Sequence, residues 1–143
     1  GVSFKRDVDD ARNSPAERVI ELLLERGALV RYHDPYVPVF RVGSDVFQPQ
    51  QIELKSVPLT RQALRGSDAV VIVTPHRAVD YELVIAHSPL IVDSSSVTAG
   101  MDHARRIVRL GAPEHVGKTK IRRRAGGKAR TISPEEPGDS GKL

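Results

Sequence analysis

Ala69-Val70-Val71-Ile72-Val73 is an unbroken apolar run in which four of the five residues are β-branched. Asp68 precedes it and Thr74-Pro75 ends it. A strand with one wet face alternates apolar and polar side chains, whereas a strand inside a parallel sheet reads as a continuous hydrophobic run. Parallel strands cannot be joined by a tight hairpin and need a crossover, usually helical. The run therefore predicts a central strand, buried on both faces, in an α/β sheet.

The rest of the chain supplies the alternation. Gly1 to Phe4 reads as a buried strand. Ser14-Pro15-Ala16-Glu17 has the form of a capping box with Pro at the first helical position. Ala16, Val19, Ile20, Leu23 and Leu24 then recur at helical spacing, with Glu17, Arg18, Glu21 and Glu25 opposite. Gly27 is placed to close that helix. Ala28 to His33 reads as the second strand, stopped by Asp34-Pro35. Residues 36–58 contain three Pro and no sustained period. They predict a long irregular connection with a short strand near Ile52 to Leu54. Thr60 to Arg65 and Asp80 to Ala86 read as short helices, Leu90 to Val92 as a strand and Ile107 to Leu110 as an edge strand. The predicted fold is α/β, a three-layer Rossmann-like domain with a mostly parallel sheet and right-handed crossovers.

Composition limits the chemistry. With 143 residues and no Cys, the chain is one domain of ordinary size without disulfides, thiolate metal sites or a cysteine nucleophile. The five His show no metal-ligand spacing. No apolar run approaches the length of a membrane span, and no secretory signal is present. A start at Gly1 inside a strand raises the expectation that an upstream part is missing. The net charge of +4 belongs to residues 114–143, which hold eight Lys or Arg against four Asp or Glu, while residues 1–113 carry fourteen of each sign. Composition makes 114–143 a disordered basic tail. Its run Lys118 to Arg130 has no aromatic interleaved. A nucleic-acid or anionic-membrane contact is therefore disfavoured against a solvated tail.

The chemistry-bearing stretch is Phe4 to Pro15, just past the first predicted strand, where parallel sheets present ligand sites. It lacks Gly-x-Gly-x-x-Gly. A dinucleotide pyrophosphate needs that bare backbone, so no primary NAD site is expected in this loop. Lys5 can offer a point charge to a phosphate or sugar oxygen; on spacing alone a solvated lysine beside Asp7 or Asp9 is favoured. Asp9 and Asp10 resemble a general acid/base pair, but adjacent carboxylates ahead of a helix more often cap it or pair with a cation such as Arg12. His76 follows a strand on the same edge as Lys5. It reads as a ligand or catalytic candidate, or as a histidine bonded to a neighbouring loop, and the second is favoured.

Gly-Val-Ser-Phe-Lys-Arg-Asp-Val-Asp-Asp-Ala-Arg-Asn-Ser-Pro opens the chain, and Tyr32-His33-Asp34-Pro35, Asp68 to His76 and Leu90-Ile91-Val92-Asp93 follow at fitting spacing. Together they resemble the C-terminal, UDP-binding domain of the nucleotide-sugar 6-dehydrogenases (the UDP-glucose/GDP-mannose dehydrogenase family). Asp34-Pro35-Tyr36-Val37-Pro38 and Val79-Asp80-Tyr81 look most similar to UDP-N-acetylglucosamine 6-dehydrogenases, with UDP-glucose next. The resemblance implies residues 1–113 as the UDP-sugar-binding domain. It also implies a partner N-terminal domain that holds NAD and a cysteine nucleophile, a homo-oligomer, and a cytoplasmic enzyme of polysaccharide precursor synthesis. By the same resemblance Phe4 and Lys5 line the UDP-sugar site and Arg12 reaches toward the cofactor. Asp10, His76 and Ser95 are supporting candidates. Ser95 stands where the family carries an arginine that reaches the sugar-nucleotide; Arg77 and Arg105 are the nearest replacements in sequence. A stand-alone or degenerate nucleotide-binding module without turnover is the alternative.

Removing residues 114–143 is expected to change the unfolding free energy by only a few tenths of a kcal/mol, about the range for changes outside packed structure. Denaturant titration of the truncated and full chains measures it.

Overall fold

The structure, a computed structural model, describes residues 1–43, 51–101 and 106–111. In chain order its elements are α1 (Pro15–Glu25), β1 (Val39–Val42), β2 (Ile52–Lys55), α2 (Arg61–Arg65), β3 (Val70–Ile72), α3 (Tyr81–His87), β4 (Ile91–Asp93) and β5 (Ile107–Arg109). Strands β3, β4 and β5 form a parallel sheet in that order, with Val70 beside Ile91 and Ile91 beside Ile107. The chain is a Rossmann-like α/β domain. The expected disordered tail, 114–143, lies outside the described residues.

Each helix starts and stops on chemistry written locally. Ser14 caps α1, its Oγ accepting the Ala16 N–H at 3.1 Å and donating to the Ser3 carbonyl at 3.4 Å. The hydroxyl therefore takes the N–H one residue earlier than the capping-box pattern implies, while the Glu17 N–H goes to the Ser14 carbonyl. At the other end the Gly27 N–H bonds to Leu24 O and the Ala28 N–H to Leu23 O, with Gly27 at φ +80°. That double closure is a Schellman motif, and its left-handed residue disfavours any side chain. Thr60 caps α2 through the Ala63 N–H, and Asp80 caps α3 through the Leu83 N–H.

Two apolar clusters result. One joins Val2, Ala16 and Ile20 to Tyr32, Val37, Phe40 and Val42. The other joins Leu64 of α2 and Val84 and Ile85 of α3 to Ile72 and Ile91. The second cluster covers only one face of the parallel sheet. Val71, Val92 and Val108 are in register on the opposite face, where Val71 is 38% and Val108 52% exposed. The expectation that Ala69 to Val73 is buried on both faces is corrected accordingly: a continuous apolar run permits burial on both faces but does not bring an element to cover the second.

Other expectations are corrected as well. Gly1 to Phe4 is not a strand; the Val2 and Ser3 N–H groups go to the Asp34 carboxylate instead of a ladder. Ala28 to His33 is reduced to a single parallel bridge, Tyr32 beside Ser56. Within the supposed irregular connection the short strand expected near Ile52 to Leu54 is present as β2, but it pairs antiparallel with an unexpected strand, Val39 to Val42. Its alternation is visible in burial, with Phe40 and Val42 inward and Val39 and Arg41 outward.

The sidedness of the sheet is directly measurable. Ile91→Ala, at a fully buried position, should destabilise by about 3 kcal/mol. Val71→Ala on the open face should stay below about 1 kcal/mol. Comparable losses in urea unfolding would show that the second face is packed in solution.

Candidate functional site

The opening residues, the turn after Asp34 and the loop after β3 meet at the Asp34 carboxylate. This side chain is 3% exposed. Its Oδ2 accepts from the Val2 N–H at 2.7 Å, the Ser3 N–H at 3.2 Å and His76 Nε2 at 3.0 Å. Its Oδ1 accepts from the Tyr36 and Val37 N–H groups at 2.8 and 3.1 Å. Burial alone would push this carboxyl up. The Tyr36 and Val2 backbone donors, then His76, outweigh burial and hold it below the usual carboxylate range. Asp34-Pro35, read from sequence only as a strand stop, thus anchors residues 2–3, 36–37 and 76 to one charge.

His76 is 1% exposed and sits between two loops. Its Nδ1 accepts the Asp7 N–H at 2.9 Å, which assigns the ring proton to Nε2, the nitrogen facing Asp34. Tyr36 packs edge-on against the ring at 5.1 Å between centroids. The His76 backbone N–H donates to Tyr81 Oη at 2.9 Å. Gly1 lies so close that a Cβ there would strike the Thr74 carbonyl and the His76 ring, so only glycine fits. This burial matches the favoured sequence reading of His76 as a loop-bonding histidine.

Above this floor runs the Phe4 to Asn13 loop. Phe4 is 49% exposed and Lys5 is exposed, with Lys5 Nζ 5.7 Å from the centroid of the Phe4 ring. Arg6 Nε donates to the Pro75 carbonyl at 3.2 Å. Asp7 takes φ +60°, and its Oδ1 accepts the Arg77 N–H at 2.8 Å. Asp10 and Arg12 form a bidentate pair, Nε to Oδ1 at 2.9 Å and Nη2 to Oδ2 at 2.7 Å. The Arg12 side-chain and backbone donors lower the Asp10 carboxyl to about 2. Asp10 is thereby committed to Arg12, which disfavours it as a general base. The Arg12 side chain itself is 86% exposed.

A second buried carboxylate organises the loop after β4. Asp93 accepts the Ser95 N–H and Oγ–H on Oδ1, at 3.0 and 2.9 Å, and the Thr98 N–H and Oγ1–H on Oδ2, at 2.9 and 2.7 Å. Arg109 Nε reaches Thr98 Oγ1 at 3.1 Å. Burial pushes Asp93 up, but the Thr98 and Ser95 donors outweigh it and hold it low. Ser95 is therefore engaged within its own turn. Of the two sequence candidates for a replacement cation, Arg77 lies on the Asp7 side with Nε 3.5 Å from Asp7 Oδ2. Arg105 lies outside the described residues.

The sequence profile of the UDP-glucose/GDP-mannose dehydrogenase family, UDP binding domain, matches residues 1–100. The chain belongs to this family. The UDP-N-acetyl-D-mannosamine dehydrogenase of Methanococcus maripaludis (strain S2) is 32% identical over 76 residues, covering 53% of this chain and 15% of its own. The UDP-glucose 6-dehydrogenase of Pseudomonas aeruginosa is 32% identical over 107 residues, covering 69% of this chain and 23% of its own. The solved structure of UDP-D-ManNAc dehydrogenase from Pyrococcus horikoshii aligns at 28% identity and a TM-score of 0.44 over 65% of this chain and 20% of that one. The chain thus spans 15 to 23% of the length of these curated relatives. Their names carry N-acetyl-D-mannosamine and glucose, whereas the motifs pointed to N-acetylglucosamine first.

Within this family domain, the loop before α1 does not fit a primary dinucleotide pyrophosphate. Its N–H groups at Phe4, Asp7, Arg12 and Ala16 are taken by Asp10 O, His76 Nδ1, Asp10 Oδ1 and Ser14 Oγ. The residues missed from sequence are the two buried carboxylates. The available signal was an Asp ending each apolar run, Tyr32-His33-Asp34 and Ile91-Val92-Asp93.

Asp34 and Asp93 titrate lower in the folded chain than in the unfolded one. Their stabilisation is complete above the ordinary carboxylate value near pH ~4 and is lost as pH falls through the folded values. Asp34→Asn should lower stability at pH 7 by about 3 kcal/mol. It should also remove up to about 1.4 kcal/mol per pH unit from the acid-side slope. Urea titrations from pH 7 to 3 check both; an unchanged slope would show that Asp34 does not drive the acid loss.

Proposed function

We propose that this chain is the UDP-sugar-binding domain of an NAD-dependent UDP-sugar 6-dehydrogenase, with Phe4 and Lys5 lining the nucleotide-sugar site. The observation that carries the reading is the family match across residues 1–100, whose opening loop leaves Phe4 and Lys5 exposed over a fully bonded floor. An ammonium so placed can meet a phosphate or sugar oxygen, and the Phe4 ring supplies an apolar face. Arg12, exposed and oriented by Asp10, is the residue we assign to the cofactor side of the cleft.

The proposed reaction oxidises the sugar C6 alcohol to the carboxylate. NAD⁺, when bound, accepts the hydride in each of the two oxidation steps. No cysteine exists in this chain. The covalent thiolate step and the main NAD contacts are therefore assigned to an N-terminal NAD-binding domain of the same enzyme. The setting we infer is a cytoplasmic homo-oligomer that makes nucleotide-sugar precursors of polysaccharides. The basic segment 114–143 is read as a separate tail without nucleic-acid function. Among the described residues, no helix is long and apolar enough to cross a membrane.

One observation favours a second reading, a nucleotide-binding module without turnover. Ser95 is short, neutral and bonded to Asp93, so it cannot supply the fork of donors that an arginine would bring. In a two-domain protein, Ser95→Arg that tightens UDP-sugar binding would favour this reading; no gain would mean that other residues complete the site.

Calorimetry with UDP is the direct test of the principal reading. The chain should bind UDP, and Lys5→Ala should weaken binding by about 10- to 100-fold, the equivalent of one charge-assisted hydrogen bond. Unchanged affinity would make Lys5 a surface residue. The purified chain alone should form no NADH from NAD⁺ and any UDP-sugar; NADH above a no-protein control would sink the assignment of chemistry to another domain.

A further inference from the structure

We propose that His76 is a positioning residue for the nucleotide-sugar site: it fixes the backbone on both sides of Lys5 and so decides where Phe4 and Lys5 point. This rests on the UDP reading of Lys5. His76 is buried, and the chemistry proposed above does not use it.

Its two nitrogens act on opposite flanks of the lysine. On one flank, Nε2 lies 3.2 Å from Ser3 Oγ, and that hydroxyl donates to the Lys5 carbonyl at 2.7 Å. On the other, Nδ1 accepts the Asp7 N–H at 2.9 Å. Asp7 is a non-glycine residue at φ +60°, a conformation that persists only when its surroundings hold it. The holders are His76 Nδ1 on its N–H and the Arg77 N–H on its carboxylate.

The ring cannot turn to relax these contacts. Asp34 Oδ2 takes the Nε2 proton at 3.0 Å, and Tyr36 stands edge-on at 5.1 Å. The Tyr81 hydroxyl fixes the His76 main chain. A 180° flip would place carbon against both Asp34 and Asp7. The exposed, long-chained Lys5 thus springs from a backbone segment whose course is set from beneath by one imidazole. Preorganisation of this kind raises affinity without any contact to the ligand.

Two near-isosteres divide the imidazole's work. His76→Asn keeps an oxygen where Nδ1 accepts from Asp7 and drops the Nε2 arm. His76→Gln reaches toward Asp34 and Ser3 and drops the Nδ1 arm. UDP is titrated calorimetrically into the 143-residue chain and its variants, with melting temperatures measured in parallel.

His76→Gln is expected to weaken UDP binding about tenfold and His76→Asn by no more than about threefold, although both melt earlier. Ser3→Ala, which only deletes the hydroxyl between His76 and the Lys5 carbonyl, should weaken UDP binding at least threefold. Affinities that merely follow the melting temperatures, or a Ser3→Ala chain that binds as the wild type does, overturn the proposal. If His76→Gln fails to fold, the Ser3→Ala result decides. Lys5→Ala separates the two levels. Wild-type affinity in that variant, or no UDP binding by the wild-type chain, means that the functional reading has failed. Loss in Lys5→Ala with none in His76→Gln or Ser3→Ala means that only the positioning role has failed.

Discussion

A carboxylate removed from water must be surrounded by donors or it will not stay charged. Asp34 meets that demand with four backbone N–H groups and one imidazole drawn from three separate stretches of chain. The geometry works in both directions. The charge is tolerated because the donors converge, and the N–H groups of Val2, Ser3, Tyr36 and Val37 are satisfied by that one carboxylate. Loops that would otherwise be free to wander are thereby tied at the edge where ligands of α/β sheets bind. Asp93 repeats the device one strand further on, closing the Ser95 to Thr98 turn around its own buried carboxylate.

The consequence is a site with a rigid underside and a mobile-chained top. Thr74 Oγ1 donates to the Ser3 carbonyl at 2.6 Å, Arg6 to the Pro75 carbonyl and the Arg77 N–H to Asp7, so the opening loop and the loop after β3 are stitched together. Among the side chains left outside the stitching are Phe4, Lys5, Asp9 and, beyond its pairing with Asp10, Arg12. A loop whose backbone is spoken for while its cation remains exposed suits recognition of an anionic ligand better than it suits proton transfer. Asp10 is occupied with aligning Arg12.

The proposed division of chemistry draws on the same residues. The opening loop lacks Gly-x-Gly-x-x-Gly and binds its Phe4, Asp7 and Arg12 N–H groups internally, which disfavours it as a pyrophosphate cradle, and a chain without cysteine has no thiolate to form a covalent intermediate. The matched parts make up only 15% and 23% of these relatives. The remaining length leaves room for those functions elsewhere in an enzyme of this family.

Much of the architecture was legible before any coordinates. Helix α1 was readable to its ends because its signals are local: Ser14 and Pro15 at the start, a stripe of aliphatics and Gly27 at the stop all act within a turn or two of themselves. The same holds for α2 and α3, whose caps Thr60 and Asp80 precede them directly, and for the parallel strands marked by β-branched runs. Phe4 and Lys5 were legible as candidates because family motifs are linear. Gly1–Phe4 and Ala28–His33 were misread as strands, and β1, the partner of the expected strand near Ile52 to Leu54, was passed over, because pairing depends on which distant backbone arrives alongside. Nor could any local pattern show that Val71 faces outward while Ile72, its neighbour, is buried. Asp34 is the sharpest case. In sequence it is an aspartate before a proline, and its meaning comes entirely from donors up to 42 residues away. Capping and hydrophobic period are short-range and belong to the sequence; the satisfaction of a buried charge is long-range, and only the tertiary structure decides it.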